Sequence, residues 1–260
     1  MRLFLMAGLF AGLATAASIS YGDFSSTAGL TLNGDAAQAA NVLRVVPSVA
    51  GQAGTAYYTA PVSLDGSTSF STSFEFLVQP DYGSGFGVPD GFTFLLQNAG
   101  VNALGDGGDG LGYAGINPSV AIVFRGRGPS FIGVITGGTN PNALPVPFEP
   151  AAGYTSLTEG VFYGQDEFAW IDYSSGALNV YLSSTSGKPV TPIMSASVDV
   201  AGTLGSQAYV GFSAGNGAAY GSQDILNWSF DSSEVPEPST AGIFAFGLAA
   251  LGLLRRACKR

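Results

Sequence analysis

The sequence predicts an all-β protein, a sandwich of two antiparallel sheets in a single domain. Short segments alternate apolar and polar residues with period two, and clusters of Gly, Pro, Asn and Asp interrupt them about every ten residues. No window carries the i, i+3, i+4, i+7 spacing of a helix. The composition agrees, because 10% charged residues, 12% aromatic residues and 38 glycines are typical neither of a disordered chain nor of a helical bundle.

The first segment, "MRLFLMAGLFAGLATAAS", has the pattern of a signal peptide. Arg2 precedes an apolar run over 3–13, and small residues follow up to Ala17. The run is too short to cross a bilayer of about 30 Å at about 1.5 Å per residue. We therefore predict a signal peptide over 1–17, removed by signal peptidase near Ala17, and export from the cytoplasm.

In the middle of the chain, alternation places apolar side chains on one face of each predicted strand. The segment "SVAIVF", residues 119–124, is apolar throughout, which predicts a central strand covered on both sides. The alternating sets are Phe70, Phe74 and Phe76; Phe92, Phe94 and Leu96; Leu178, Val180 and Leu182; and Leu226, Trp228 and Phe230.

Two loops interrupt this pattern, over 105–115 and 137–150. The first, "GDGGDGLGYAG", contains Asp106 and Asp109 among glycines. No helix is predicted after it, so it does not fit a phosphate-binding loop, and its spacing does not match the Ca²⁺ loop that ends in a glutamate. The second is a turn-rich surface loop.

The last segment reads "VPEPSTAGIFAFGLAALGLLRRACKR". An uncharged stretch over 240–254 precedes four basic residues among the last six, which predicts a short apolar helix with a positive-inside flank. The segment resembles the PEP-CTERM sorting signal, carried here by Pro236, Glu237, Pro238, Arg255 and Arg256.

That resemblance implies processing by an exosortase and transient membrane insertion through 240–254. It also implies an inner-membrane-anchored precursor whose mature form is periplasmic, on the cell surface or secreted. The predicted domains are the signal peptide at 1–17, the sandwich at 18–234 and the sorting signal at 235–260.

Between the two terminal segments, four basic residues stand against seventeen acidic ones, which gives the domain a net charge of about −13. Such a charge makes nucleic acid a poor partner. The chain has no His, and its one Cys, Cys258, lies in the last segment. These counts exclude a Ser-His-Asp triad, a histidine-bearing zinc site, and a disulfide or thiol nucleophile in the domain.

Eight segments follow one another across the domain: "LTLNGDA" (30–36), "STSFEF" (71–76), "PDGFTFLLQN" (89–98), "GDGLGYAGI" (108–116), "SVAIVF" (119–124), "WIDY" (170–173), "VGFSAGNG" (210–217) and "DILNWSF" (224–230). In this order they resemble the L-type (legume) lectins. The resemblance implies a concanavalin-like jelly-roll sandwich that binds sugars on loops at one end. One Ca²⁺ and one transition-metal ion organise those loops in the family, and no catalysis is involved.

The resemblance also implies which residues contact a sugar. Asp90, followed by Gly91, matches an aspartate that accepts hydrogen bonds from sugar hydroxyls and follows a cis peptide bond. Here Pro89 precedes it, and a cis Val88–Pro89 bond costs less than a cis Pro89–Asp90 bond. The Gly-rich loop supplies one backbone donor, which is Gly107, Gly108 or Gly110, and the last loop, from Asn216 to Ser222, supplies specificity. The implied carbohydrate-binding residues are Asp90, Gly107, Gly108, Gly110, Asn216 and Gly217.

The metal-binding strand departs from the family. Val123, Arg125 and Phe131 stand where the resemblance places acidic or imidazole ligands, and a guanidinium repels divalent cations. We therefore predict no cofactor and no Ca²⁺ or Mn²⁺ site. We hypothesise that Arg125 replaces the metal by forming a bidentate pair with Asp90. The alternative is that Arg125 and Arg127 point into solvent.

These observations predict a secreted, non-enzymatic lectin-like protein whose partner is carbohydrate, in particular the extracellular polysaccharide of the cell. Tyr113, Tyr163 and Tyr220 are candidates to stack on sugar rings. The alternative is a structural or adhesive matrix protein that kept the sandwich and lost sugar binding.

A glycoside hydrolase is a remote third possibility. Such enzymes need two carboxylates that flank one glycosidic bond. Glu75 is isolated in the sequence, and the acids at Asp166, Glu167 and Asp172 do not have the required spacing. The sequence therefore favours a protein without catalytic activity.

Overall fold

The computed structural model describes residues 17–64, 69–128, 130–143, 153–158 and 161–233. Within them the strands are β1 (Ser18–Tyr21), β2 (Leu30–Gly34), β3 (Ala37–Ala39), β4 (Val42–Val46), β5 (Ala53–Tyr58), β6 (Val62–Ser63), β7 (Ser69–Pro80), β8 (Gly91–Gln97), β9 (Ser119–Arg125), β10 (Phe131–Thr136), β11 (Tyr154–Ser156), β12 (Asp166–Ser174), β13 (Ala177–Ser183), β14 (Met194–Ser197), β15 (Gln207–Gly215) and β16 (Gly221–Ser233). One short helix, α1 (Val200–Leu204), precedes β15, and Asp199 caps its first turn.

The strands form two antiparallel sheets. The back sheet has the order β14-β13-β12-β7-β16-β4-β3, with β1 also paired to β16. The front sheet has the order β11-β10-β9-β8-β15-β5-β2, with β6 paired to the start of β15. The all-β sandwich predicted from the sequence is therefore confirmed, while the predicted apolar helix over 240–254 lies outside the described residues.

The core between the sheets is built by strand alternation. Phe70, Phe74 and Phe76 of β7 all point inward and are at most 3% exposed, as predicted. Phe92 and Phe124 of the front sheet stack with ring centroids 4.8 Å apart. Burial of each such ring stabilises the fold by about 1.5–3 kcal/mol, so this aromatic layer is a main source of stability.

One predicted set differs from the structure. The sequence places Leu226 on the same face as Trp228, but a β-bulge between Ile225 and Asn227 inserts an extra residue against β7. Ile225 is 1% exposed and takes the inward position, whereas Leu226 is only half-buried. A bulge shifts the alternation by one residue, and period-two reasoning does not detect it.

A second apolar cluster lies on the outer face of the front sheet. Leu111, Tyr113 and Ile116, from the loop before β9, pack against Ala121 and Val123 of that strand. Every residue of β9 is buried, which confirms that this strand is covered on both sides. The same packing holds the Gly-rich loop close to the end of β9.

The two ends of the described domain lie side by side. The Ala17 amide donates to Ser232 Oγ at 3.0 Å, and the Ser232 amide donates to the Ala17 carbonyl at 2.8 Å. At its other end, β16 begins at Gly221, opposite Pro80 of β7. Among the residues the structure describes, no helix has the length and apolar character of a transmembrane span.

Candidate functional site

Loops gather at the end of the sandwich where β16 begins. We call this the loop end, formed by residues 47–52, 81–90, 105–115 and 216–220. The Gly51 amide donates to the Gly217 carbonyl at 3.1 Å, and the Asp81 amide donates to the Tyr220 carbonyl at 3.0 Å. These backbone bonds tie loops from both sheets into one surface.

Gly91 fixes the position of Asp90 at the loop end. It is the first residue of β8 and lies between Arg125, the last residue of β9, and Gly215, the last residue of β15. A Cβ at Gly91 would lie 2.2 Å from the Phe124 carbonyl oxygen, and its φ is +132°, so this position requires glycine. The bonds on either side of Pro89 are trans, since the cis bond found in the described chain is Asn117–Pro118.

Asp90 is 1% exposed, so its carboxylate is covered by neighbouring groups. It accepts a hydrogen bond from Arg127 Nη1 at 3.5 Å. Burial, followed by the nearby Asp109 carboxylate, raises the pKa of Asp90 to about 6, although Arg127 and Arg125 act in the opposite direction. The carboxylate of Asp90 is therefore closed to solvent in this structure.

Arg125 forms a closed network with two other side chains. Its Nη2 donates to Asp109 Oδ1 and to Asn142 Oδ1, both at 3.1 Å. Asn142 Nδ2 completes the ring by donating to Asp109 Oδ2 at 3.1 Å, and Arg125 Nε donates to the Arg127 carbonyl at 3.3 Å. The Arg125 side chain is 4% exposed, so this is a buried and well-satisfied guanidinium.

The hypothesis that Arg125 pairs with Asp90 is therefore wrong. Asp90 pairs with Arg127, and Arg125 pairs with Asp109. Alternation along β9 sends Arg125 to the outer face of the front sheet, where the Gly-rich loop carries Asp109. The solvent-facing alternative is also wrong for Arg125, whereas Arg127 has a side chain that is 37% exposed.

The Gly-rich loop approaches the last loop through glycines. A Cβ at Gly217 would lie 3.3 Å from Asp90 Oδ2 and 3.6 Å from Gly108 Cα, so Asp90 and Gly108 are both neighbours of Gly217. The Gly110 amide donates to the Gly107 carbonyl at 3.0 Å. Of the three predicted backbone donors, the amides of Gly107 and Gly108 are thus the ones without a partner among the described residues.

Asn216 holds the loops together. It is fully buried, and its Nδ2 donates to the Pro47 carbonyl at 2.8 Å and to the Gly221 carbonyl at 3.0 Å. Its Oδ1 accepts from Gln223 Nε2 at 3.3 Å. With these bonds made, we assign Asn216 a positioning role at the loop end.

The aromatic candidates are distributed differently from the prediction. Tyr113 is fully buried in the second apolar cluster, and the half-buried Tyr163 donates its hydroxyl to the Pro89 carbonyl at 2.6 Å. Sequence reasoning missed Tyr82 and Phe86, which are 71% and 61% exposed in the loop that leads to Asp90. Their position in a glycine-rich turn, rather than in an alternating strand, is the signal that identifies them.

These residues do not fit a divalent cation site. No group of three or more His, Cys, Asp or Glu side chains is placed to hold a metal within the described part of the chain. The two carboxylates at the loop end, Asp90 and Asp109, each contact a guanidinium. Calcium needs about six to eight oxygen ligands, and these two carboxylates offer at most four oxygens, which they share with arginine.

Comparisons with known proteins agree with this architecture. The family model of the legume lectin domain matches residues 16–120 and 155–242, and that of the PEP-CTERM protein-sorting motif matches 234–260. An L-type lectin-domain containing receptor kinase of Oryza sativa subsp. japonica is 30% identical over 274 aligned positions, which cover 91% of this chain. The match spans only 38% of the length of that kinase.

Two solved structures share the fold. A lectin from Bauhinia forficata in complex with GalNAc has a TM-score of 0.68 at 22% identity, with 85% of this chain and 99% of the lectin covered. Arcelin-5, a lectin-like defence protein from Phaseolus vulgaris, has a TM-score of 0.70 at 23% identity, with 85% and 100% covered.

Proposed function

This chain belongs to the legume lectin domain family, and from this premise we propose that it is an exported, non-enzymatic protein that binds carbohydrate through the loop end. The PEP-CTERM motif implies that the protein leaves the cytoplasm. The Bauhinia lectin holds GalNAc on the same fold. We extend the proposal to the extracellular polysaccharide of the cell as the natural partner.

The observation that carries the proposal is the set of open groups around Gly217. The amides of Gly107 and Gly108, which make no hydrogen bond within the described residues, are donors, and the 43% exposed side chain of Asp109 is an acceptor. Tyr82 and Phe86 add exposed aromatic surface on another loop of the same end. Hydroxyl-binding groups next to an apolar surface are what a sugar ring requires.

In this proposal Asp90 lies beneath the ligand. Its burial and its contact with Arg127 make it a positioning residue, and Arg127 presents a half-exposed guanidinium to the ligand. The Arg125–Asp109–Asn142 network replaces the ion that the family uses to shape these loops. We therefore propose binding that does not depend on Ca²⁺ or Mn²⁺.

The placement of the glutamates supports the absence of catalysis. Glu75 of β7 points out of the back sheet and accepts a hydrogen bond from Asn227, whereas Glu167 of β12 points inward and is 4% exposed. Carboxylates on opposite faces of one sheet do not flank a single glycosidic bond.

A glycan array, together with binding to purified exopolysaccharide, tests the proposal. We expect the full chain to bind, and the Tyr82→Ala/Phe86→Ala double variant to bind about tenfold more weakly. Val190→Ala is a matched control, because Val190 is 99% exposed and belongs to none of the segments that form the loop end. Equal binding by the double variant would contradict the role of the aromatic pair.

The burial of Asp90 favours one other function, that of a structural or adhesive matrix protein without sugar binding. Under that function the loop end binds no sugar, and its charged side chains only stabilise the fold. If the full chain bound neither the array nor the purified exopolysaccharide, the structural or adhesive function would replace the carbohydrate-binding proposal.

A further inference from the structure

Three aromatic rings lie on the outer face of the back sheet, away from the loop end. Phe168 and Trp170 of β12 point outward, and their rings stack with centroids 6.3 Å apart at 22°. Tyr181 of β13 is directly opposite Trp170 in the strand register. We call Phe168, Trp170 and Tyr181 the back-sheet platform.

A hollow of about 160 Å³ lies beside Trp170. The side chains of Ser71, Ser73 and Ser229 line it with hydroxyls, and Asp172 with Lys188 forms its charged edge. A second hollow of about 290 Å³ adjoins it, because both are lined by Ser71 and Asp172. The two hollows form a trough that runs beside the back-sheet platform.

Two polar groups of residues that line this trough have no hydrogen-bond partner in the part of the chain that the structure describes. The indole N–H of Trp170 and the hydroxyl of Ser71 make no hydrogen bond within the described residues, whereas the indole of the inward-facing Trp228 donates to Thr72 Oγ1 at 3.0 Å. Ser73 and Ser229 share one hydrogen bond at 2.8 Å and keep further capacity. The trough therefore offers unused donors and acceptors beside a flat aromatic surface.

The charge on this face restricts the ligand. Glu75, Asp172 and Asp231 project from neighbouring strands. Two cations among the described residues share this face: Lys188, paired to Asp172 and 4.3 Å from the Tyr181 ring centroid, and Arg44 of β4, paired to Asp224. Two copies of the chain packed through this face would oppose like charges, and an anionic polymer would be repelled. A neutral ligand experiences neither form of charge repulsion.

We infer that the trough is a second binding site, and that its ligand is a segment of a neutral polysaccharide. A pyranose ring presents an apolar C–H face to Trp170 and a rim of hydroxyls to the serines and Asp172. The smaller hollow accommodates one sugar residue, and the adjoining hollow lets the chain continue. This site is separate from the loop end, so occupancy of both would let one molecule bridge two polysaccharide chains.

Tryptophan fluorescence of the full chain tests the inference, because the chain has two tryptophans and Trp228 is sealed in the core. The probes are dextran, soluble starch and galactomannan, with polygalacturonate as the anionic control. We expect at least one neutral probe to shift the emission to shorter wavelength. Trp170→Phe should remove the shift, and Ser71→Arg, which fills the hollow, should weaken the apparent affinity about tenfold.

The Tyr82→Ala/Phe86→Ala variant separates this site from the loop end, since it should keep the emission shift even where it loses binding on the glycan array. No shift with any neutral probe would overturn the inference. An emission shift that persists in Ser71→Arg and disappears in Tyr82→Ala/Phe86→Ala would also overturn it. Sedimentation that shows a dimer abolished by Ser71→Arg, without any sugar effect, would identify a second copy as the occupant instead.

Discussion

At the loop end two charged side chains, Arg125 and Asp90, are buried, and each contacts a partner of opposite charge. Arg125 is 4% exposed and bonded to Asp109 and Asn142, and Asp90 is 1% exposed beside Arg127. On the outer face of the back sheet the situation is reversed. There Trp170 is half-buried beside a hollow, and its indole N–H has no partner in the described part of the chain.

The contrast separates two uses of polar residues. A buried and fully bonded group costs free energy when its partner is removed, so it maintains a conformation. An open group with unused hydrogen-bonding capacity contributes little to folding and remains available to a ligand. Four predictions test whether the two regions divide in this way.

Substitution of the two tryptophans should give the largest effect. Trp228→Ala should lower the free energy of unfolding by about 3–5 kcal/mol, because it leaves a cavity among Phe212 and Thr72. Trp170→Ala should lower it by less than about 1 kcal/mol, since its ring lies on the outer face. Urea unfolding measures both, and equal losses would show that the platform is structural.

Arg125→Ala should lower the free energy of unfolding by about 2–3 kcal/mol, because it leaves Asp109 and Asn142 without their buried donor. The partial exposure of Asp109 keeps the cost below that of a fully buried pair. Arg127→Ala is the matched control, with a loss below about 1 kcal/mol, as its 3.5 Å contact is half-exposed. If denaturant titrations showed a larger loss for Arg127→Ala than for Arg125→Ala, Arg125 would not be the more important structural arginine.

The pH dependence of Asp90 should be smaller. Its folded pKa, about 6, lies above the unfolded value of about 3.9, so the folded protein holds more protons than the unfolded one between pH 4 and pH 6. The contribution of Asp90 to the free energy of unfolding therefore decreases as the pH rises from about 4 to about 6. The stability of Asp90→Asn relative to the natural protein should improve by about 1–2 kcal/mol from pH 4 to pH 7. A constant difference between the two proteins across that range would contradict it.

Metal removal should give the smallest effect. We expect EDTA to change the melting temperature by less than ~1 °C, and to leave any binding on the glycan array unchanged, because Asp90 and Asp109 each contact a guanidinium and we propose binding without Ca²⁺ or Mn²⁺. Stabilisation by added Ca²⁺ after EDTA treatment would show that the loop end holds a cation after all.

Strand alternation was sufficient to predict much of the fold. The inward set Phe70, Phe74 and Phe76 and the doubly covered β9 followed from local pattern alone. The bulge at Leu226 did not, because an inserted residue leaves no mark on composition. The inward and outward faces of regular strands can thus be predicted from the sequence, whereas a bulge within a strand cannot.

The site was predictable as a set of residues and not as a set of contacts. Asp90, the Gly-rich loop and Arg125 do meet at one end of the sandwich. The partner of Arg125 depends on which loop covers the outer face of the front sheet, and that is decided by the packing of Leu111 and Tyr113. The trough beside Trp170 was missed for the same reason, since alternation gives the face of a residue and not the shape around it.

The meeting of Ala17 with Ser232 has a consequence for how the domain is presented. The first strand pairs with the end of the last one, so both ends of the described domain lie at the side opposite the loop end. At about 3.3 Å per residue, the thirteen residues of β16 separate that exit from the loop end by about 40 Å. If the domain were tethered through either of these ends, the loop end would point away from the anchoring surface at about that distance.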